Sequence, residues 1–241
     1  MTELAVAVAA MLICSAVMGR ILFWIDNTRM TDRITRKLMD YLSWDYEEIK
    51  ASAVGVWYYL TPAAFIAVFC IVFDHNIFAY LRIDLQDLGY IPVTILAEMS
   101  VVTMVSGSLT LVSDRVDWTA DIGNISWISS IQKRNKAVAP LVPLLGALVE
   151  ECFFRGTLFL ILYLHFEQLG FWGAALISGA LFALEQALFT SRGSQCYSMI
   201  LGSLGISFVA CASVAYTGSF LPCLLAHECF LVFYFGKFKY Y

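Results

Sequence analysis

The sequence predicts an all-α integral membrane protein, a polytopic bundle of about seven to eight spanning helices. Of its 241 residues, 60% are hydrophobic and only 14% are charged. Soluble domains contain about 45–50% apolar and about 25% charged residues. Apolar runs of about 17–25 residues, the length that a helix needs to cross a bilayer, recur along the chain. Composition and run length together exclude an ordinary soluble domain.

The predicted spans follow one another from end to end, and no internal repeat or low-complexity segment divides them. They cover about residues 4–25, 52–73, 91–112, 137–166, 171–189, 196–216 and 219–235. The fourth segment is longer than one crossing requires. Pro140 and Pro143 near its start favour a break there, which would raise the count to eight.

The segment 26–50 lies between the first two predicted spans and is rich in charge. Its apolar residues recur at helical spacing: Met30, Ile34, Leu38, Tyr41 and Leu42. This pattern predicts a cytosolic amphipathic helix that lies on the membrane surface.

Cations favour every second loop, namely 26–50, 113–136, 190–195 and the C-terminal tail. The positive-inside rule therefore places these segments in the cytosol and the N-terminus on the opposite, luminal side. The glycosylation pattern at residues 124–126 then lies in the cytosol and is expected to carry no glycan.

Lys237 and Lys239 resemble a K-x-K-x-x retrieval signal, which predicts the endoplasmic reticulum membrane. The alternative is two lysines that snorkel at the end of the last helix.

Two other classes of protein are disfavoured. The basic residues lie in short loops and form no stripe, so no nucleic-acid partner is expected. The seven cysteines contain no CxxC pair and lie mostly in apolar segments, which indicates neither a disulfide framework nor a zinc site.

The stretch 148–156, LVEECFFRG, places three ionisable residues inside the fourth apolar run. Ionisable groups at membrane depth are costly, rare and usually functional. Glu151 and Arg155 are four residues apart, so their side chains can meet on one helix face. A structural ion pair between helices is the alternative. It leaves Glu150 without a partner, and this surplus carboxylate indicates a site.

Two later spans also carry polar pairs, Glu185-Gln186 and His227-Glu228. Each alone fits a residue that hydrogen-bonds within a helix bundle. Together with the central stretch they place four carboxylates against two cations. Some carboxyls must then be protonated or neutralised by a cation, which suits a general base or acid. Glu98 in the third span is expected to make an interhelical hydrogen bond.

His227-Glu228 matches the start of the zinc-protease HExxH motif, but the position of its second histidine is Leu231, so the motif is incomplete. The motifs instead resemble the CAAX prenyl protease 2 family, the type II CAAX endopeptidases within the CPBP intramembrane proteases. Its EExxxR motif is intact at Glu150, Glu151 and Arg155. RNKAVAPLV (134–142) and TGSFLPCLLAH (217–227) match two further stretches. The resemblance divides the chain into N-terminal membrane helices (1–133) and a protease-like membrane core (134–241).

The resemblance implies removal of the last three residues of prenylated C-a-a-X proteins or peptides at the lipid bilayer. Glu150 would then be the base that activates water, Glu151 and Arg155 would hold the helix and its charge balance, and His227 would be an oxyanion donor. No cofactor is expected and a bound metal is not favoured, because one of two histidine positions is missing.

The chain departs from the family at two positions. The histidine of the FxxxH motif, which begins at Phe182, is replaced by Gln186, which cannot accept a proton from water. The asparagine of the HxxxN motif is replaced by Leu231. Glu185 and Glu228 are each one residue out of register, about 100° from the expected face. A catalytically inactive member that binds or regulates at the membrane is therefore the alternative. A small transporter or channel is the weakest hypothesis, since no pair of broken helices is visible.

Overall fold

The computed structural model of the protein describes residues 2–82, 84–113, 118–125, 128, 141–190 and 193–237. Within these ranges the chain is helical and contains no strand, which confirms the all-α prediction. The α-helices are α1 (Thr2–Asp26), α2 (Arg29–Met39), α3 (Tyr46–Val72), α4 (Leu85–Val112), α5 (Trp118–Gly123), α6 (Leu141–Phe153), α7 (Leu160–His165), α8 (Gly170–Leu188), α9 (Gly193–Thr217) and α10 (Leu221–Lys237). Short 3₁₀ turns cover Ile77–Tyr80 and Glu167–Leu169, and a π-helical segment, Phe154–Phe159, joins α6 to α7.

Five helical stretches of the described chain are long and apolar enough to cross a membrane: Thr2–Asp26, Tyr46–Val72, Leu88–Val112, Glu167–Leu188 and Gly193–Thr217. The last helix has a shorter apolar stretch, Leu221–Val232. The fourth predicted span is α6, the π segment and α7 in direct succession. The described part of each predicted apolar segment is thus mainly helical, and the chain is a polytopic integral membrane protein.

The predicted break at Pro143 is wrong. The path is helical without interruption from Leu141 to His165, and Pro143 lies in the first turn of α6. A proline in the first turn of a helix costs no hydrogen bond, because the N–H groups there have no intrahelical acceptor. Pro140, the motif residues 134–140 and Lys239 lie outside the described residues, as do the cationic residues of the 113–136 and 190–195 loops. The topology therefore stays a prediction.

The amphipathic segment forms α2, which is capped by the Thr28 side chain and packs on α3 through the buried Thr31 and Thr35. Met30 and Leu38, from the predicted apolar face, are exposed. These two side chains point away from the protein, as expected of a face that contacts lipid. Location on the membrane surface stays a prediction.

The continuous helix from Leu141 to His165 lies at the centre of the bundle. Its α6 part contacts α3 and α10, and its π segment contacts α8. Every residue from Phe153 to Leu162 is buried, and Phe153, Phe154, Phe159 and Ile161 have no exposed surface. The side chains of this helix from Phe153 to Leu162 are therefore enclosed by other parts of the protein.

The π segment is held by a contact from outside the helix. A π turn replaces the regular i to i−4 hydrogen bonds and leaves a carbonyl without its helical partner. His75 Nε2 lies 2.8 Å from the Gly156 carbonyl oxygen, and the ring stacks on Tyr80 with centroids 5.4 Å apart. A Cβ on residue 156 would come within 2.9 Å of Ile77, so glycine is needed there for the segment to approach. His75 thus ties the 3₁₀ turn to the π segment.

Burial lowers the pKa of the His75 imidazole below its usual value of 6.5. Because the unfolded chain then binds a proton more readily, neutral His75 contributes stability that is complete above about pH 6.5 and is lost as pH falls through the lower folded-state pKa. We expect the unfolding free energy in detergent to fall more steeply between pH 7 and 5 for the wild type than for His75→Gln, which keeps a donor but does not titrate. Identical pH profiles would contradict this assignment.

Candidate functional site

Polar side chains from six elements meet around the α6 turn that precedes the π segment. Tyr58 comes from α3, Glu98 from α4, Glu150 and Glu151 from α6, Arg155 from the π segment, Glu185 and Gln186 from α8, and Cys223 and His227 from α10. We call these nine residues the polar cluster. All but Glu150 are buried, and Glu150 is half-buried. The cluster brings together residues from all three polar pairs that the sequence analysis singled out, with Glu228 as the one member left outside.

Glu151 is the acceptor at the centre of the cluster. Its Oε1 lies 3.0 Å from Arg155 Nη1 and 2.7 Å from His227 Nδ1, and its Oε2 lies 3.3 Å from Cys223 Sγ. Both oxygens are therefore occupied, and Glu151 and Arg155 have no exposed surface. A buried carboxylate held in this way is suited to balancing charge and is poorly placed to accept a proton from a substrate water.

The buried Arg155 guanidinium packs against an aromatic ring. Its Cζ lies 4.4 Å from the centroid of the Phe182 ring, a cation–π geometry. Phe182 is the aromatic residue of the degenerate FxxxH motif, so the structure gives that position a contact with the EExxxR motif. The Arg155 nitrogens have no hydrogen-bond partner among the described residues apart from the ion pair with Glu151, and such donors are usually satisfied by water.

The turn that precedes α10 sets the position of His227. Gly218 has a φ of 66°, a conformation that glycine adopts without steric cost. Ser219 Oγ accepts from the Leu221 N–H at 3.2 Å and donates to the Arg82 carbonyl at 2.9 Å. The Thr217-Gly218-Ser219 motif thus starts α10 against the segment that follows α3. Two turns later, His227 reaches Glu151.

Glu150 points to a different partner. Tyr58 Oη lies 2.6 Å from Glu150 Oε1 and 3.0 Å from Glu185 Oε1, so one hydroxyl links the two carboxyl groups. Gln186 Nε2 donates to Glu185 Oε2 at 3.0 Å. Glu185 therefore reaches the site although it is one residue out of register, because Tyr58 on α3 spans the offset between the two helix faces.

Two of the positions considered in the sequence analysis, Glu228 and Leu231, lie outside the polar cluster. Glu228 is half-buried and makes no hydrogen bond or ion pair within the described part of the chain. Leu231, at the family's asparagine position, is also half-buried and adds no donor. Of the two acids one residue out of register, only Glu185 enters the cluster.

Glu98 does not make the expected interhelical hydrogen bond. It is fully buried, and neither carboxyl oxygen has a partner among the described residues. It is close enough to interact electrostatically with Glu151, Arg155 and His227. The structure therefore adds Glu98 to the site but gives it no bonded role.

Sequence reasoning missed Tyr58 as a member of the site. A tyrosine in an apolar helix is commonly a core or interface residue. It is separated from Glu150 by 92 positions, and no motif connects them. Only the pairing of α3 with α6 brings the hydroxyl to the carboxylates.

The cluster contains the groups that hydrolysis requires. Glu150 is the carboxyl of the cluster that keeps partial exposure, so it is the one that substrate and water can reach. With His227 Nδ1 against Glu151, ring atom Nε2 is left to act on a substrate. No group of three or more His, Cys, Asp or Glu residues in the described ranges is arranged to hold a metal ion.

Comparison with known families bears on the C-terminal part of the chain. A family model described as Type II CAAX prenyl endopeptidase Rce1-like matches residues 134–232. No curated protein and no solved structure matches the chain. The family match confirms the resemblance seen in the motifs and includes all cluster residues from Glu150 onward. Tyr58 and Glu98 lie outside it.

Glu151→Gln should destabilise the protein by about 3–5 kcal/mol, because it leaves Arg155 buried without its counter-charge. The measurement is the unfolding free energy of purified protein in detergent. Glu228→Gln is the matched control, since that acid has no bonded partner within the described chain, and its stability should stay close to that of the wild type. Equal stability of the two variants would show that the ion pair does not hold the helices.

Proposed function

We propose that this chain, whose residues 134–232 match the type II CAAX prenyl endopeptidase family, is an intramembrane endopeptidase that removes the last three residues of prenylated C-a-a-X proteins. The observation that carries the proposal is the position of Glu150. It is a half-buried carboxylate inside a membrane bundle, next to the buried Glu151–His227 pair and supplied with a hydrogen bond by Tyr58.

In the proposed reaction Glu150 accepts a proton from a water molecule, and the water oxygen attacks the carbonyl carbon of the scissile peptide bond. The proton then passes from Glu150 to the leaving amine, so that Glu150 acts first as base and then as acid. Charged His227, with Nδ1 donating to Glu151 at 2.7 Å, donates from Nε2 to the oxyanion. Glu151 stabilises the imidazolium, and Arg155 balances the charge of Glu151.

Two substitutions are expected to make the reaction slow. Losing the base partner at position 186 costs about 10²–10⁴ in rate. Losing one oxyanion donor at position 231 costs about 10²–10³. A catalytic rate below that of family members with both motif residues is therefore part of the proposal.

The alternative is a catalytically inactive member that binds prenylated tails or regulates at the membrane. Two observations favour it. The Gln186 amide donates to Glu185, which takes that donor away from a substrate water. Leu231 presents an apolar side chain where the motif has a hydrogen-bonding residue.

The proposed setting is the endoplasmic reticulum membrane, with the N-terminus in the lumen and the C-terminus in the cytosol. The cationic loops and the lysines of the tail support this orientation. Prenylated C-a-a-X proteins are cytosolic, so their ends would enter the site from that side, with the prenyl chain in the bilayer. No cofactor is included in the proposal.

Glu150→Ala and His227→Ala should each reduce cleavage of a fluorogenic farnesylated C-a-a-X peptide by at least about 10²-fold, since each removes a group that acts on the reacting atoms. The assay uses membranes that express equal amounts of each variant. Glu228→Gln again serves as the matched control. Full activity in Glu150→Ala would exclude the proposed mechanism.

The double variant Gln186→His/Leu231→Asn separates the enzyme from its inactive alternative. If the pocket is retained, restoring both motif residues should raise cleavage by at least about 10²-fold, because a base partner and an oxyanion donor are regained. A silent wild type with an active double variant would favour the inactive alternative. A double variant that is folded and no faster than an active wild type would show that the two departures are compensated elsewhere.

A further inference from the structure

Tyr58 lies within hydrogen-bond distance of two carboxyl groups, and its single hydroxyl hydrogen cannot make a full hydrogen bond to both if both are ionised. Tyr58 Oη is 2.6 Å from Glu150 Oε1 and 3.0 Å from Glu185 Oε1. A phenol hydroxyl has one hydrogen and can donate along only one of these directions. The second contact is a full two-centre hydrogen bond only if a carboxylic acid donates to the phenol oxygen. A proton on one of the two glutamates would supply this donor.

The lengths of the two contacts differ in the direction expected if Glu185 carries this proton. Hydrogen bonds from O–H to an ionised carboxylate are shorter, about 2.5–2.7 Å, than those between neutral groups. The 2.6 Å contact with Glu150 falls in that range, and the 3.0 Å contact with Glu185 does not. Gln186 Nε2 occupies Glu185 Oε2 as a donor, which leaves Oε1 as the oxygen that can hold the proton. In this arrangement Tyr58 donates to Glu150, and a protonated Glu185 would donate to Tyr58.

Charge balance supports the same assignment independently. Glu151 is paired with Arg155 and His227, both fully or almost fully buried. With Glu150 and Glu151 ionised and both cations charged, these four groups sum to zero. An ionised Glu185, which has no exposed surface, would add a negative charge without a counter-ion, at high cost in a low-dielectric interior. The same argument requires Glu98, buried without a partner, to be neutral.

We propose that Glu185 and Tyr58 form a hydrogen-bonded relay, with Glu185 neutral, that orients Glu150 and keeps it ionised in place of the histidine missing at position 186. This inference rests on the proposed function, because it assigns how the base of that reaction is held. Tyr58 and Glu185 act through Glu150 and are positioning residues. The Glu185 proton is not consumed, since the proton taken from water is returned to the leaving amine.

The relay explains how a glutamate one residue out of register can serve the site. A side chain at position 185 points about 100° away from one at position 186 on the same helix. Tyr58 on α3 spans that offset, and its ring is held edge-on by Phe189 with centroids 5.8 Å apart. Gln186, which sits where the histidine would be, holds Glu185 from the other side.

The protonation state can be tested without any assay of activity. Infrared spectra of purified protein in detergent at neutral pH resolve protonated carboxyl groups from carboxylates. The difference between wild type and Glu185→Gln should show the loss of one carboxylic acid band, and Tyr58→Phe should shift that band because its acceptor is removed. Loss of a carboxylate band in Glu185→Gln would overturn the proposal, as would an unshifted acid band in Tyr58→Phe.

Kinetics test the positioning role. Tyr58→Phe and Glu185→Gln should lower kcat by about 10- to 100-fold, the worth of a hydrogen bond to a charged group, with little change in KM. Tyr59→Phe is the matched control: the neighbouring tyrosine donates to the Val142 carbonyl at 3.0 Å and should keep wild-type kcat. Unchanged kcat in Tyr58→Phe, beside a cleaving wild type, would overturn the positioning role. If the wild type and the restored double variant both fail to cleave, the proposed function fails, and the infrared spectra alone decide whether Glu185 is neutral.

Discussion

The structure depends on one buried carboxylate, Glu151, that contacts three donor side chains in the interior of a membrane protein. Glu151 binds Arg155 from its own helix and His227 and Cys223 from α10, and none of these side chains can reach bulk water. Removing one partner would leave a buried charge uncompensated, which is far more costly than losing an exposed ion pair. This constraint fixes α10 against α6. It also leaves Glu150, on the adjoining face of α6, as the carboxylate that is half-buried and accessible.

The π segment is the second constraint, and it operates through the backbone. Arg155 lies within it, directly after the helical turn that carries the two glutamates. A π turn rotates the residues that follow it relative to a regular helix, and such turns are frequent at functional sites. His75 satisfies the Gly156 carbonyl and Gly156 admits Ile77 and Phe220 against the backbone, so the irregular turn is held by tertiary contacts. The arrangement of Glu151, Arg155 and Phe182 follows from this geometry.

The fold class and most of the cluster were predictable because both follow from the cost of burying polar groups in a membrane. Apolar length identified the helices, and the rarity of charge within them identified Glu150, Glu151, Arg155, Glu185 and His227. The π turn after Phe153 was not predictable, since FRGTLF has no feature that separates a π turn from a regular helix. Nor was Tyr58, whose role depends on which helix packs against α6. The contact of Glu185 with the site was also not predictable from its register on one helix face, because it depends on the bridging Tyr58 from another helix.

The proposed activity of the polar cluster is hydrolysis of the single peptide bond that follows a prenylated cysteine. The most direct measurement is mass spectrometry of the products after a farnesylated C-a-a-X peptide is incubated with membranes that express the wild type. The account predicts an intact a-a-X tripeptide and a peptide that ends in farnesylcysteine, with neither product formed by Glu150→Ala membranes. Stepwise release of single amino acids, or the same tripeptide from Glu150→Ala, would contradict it.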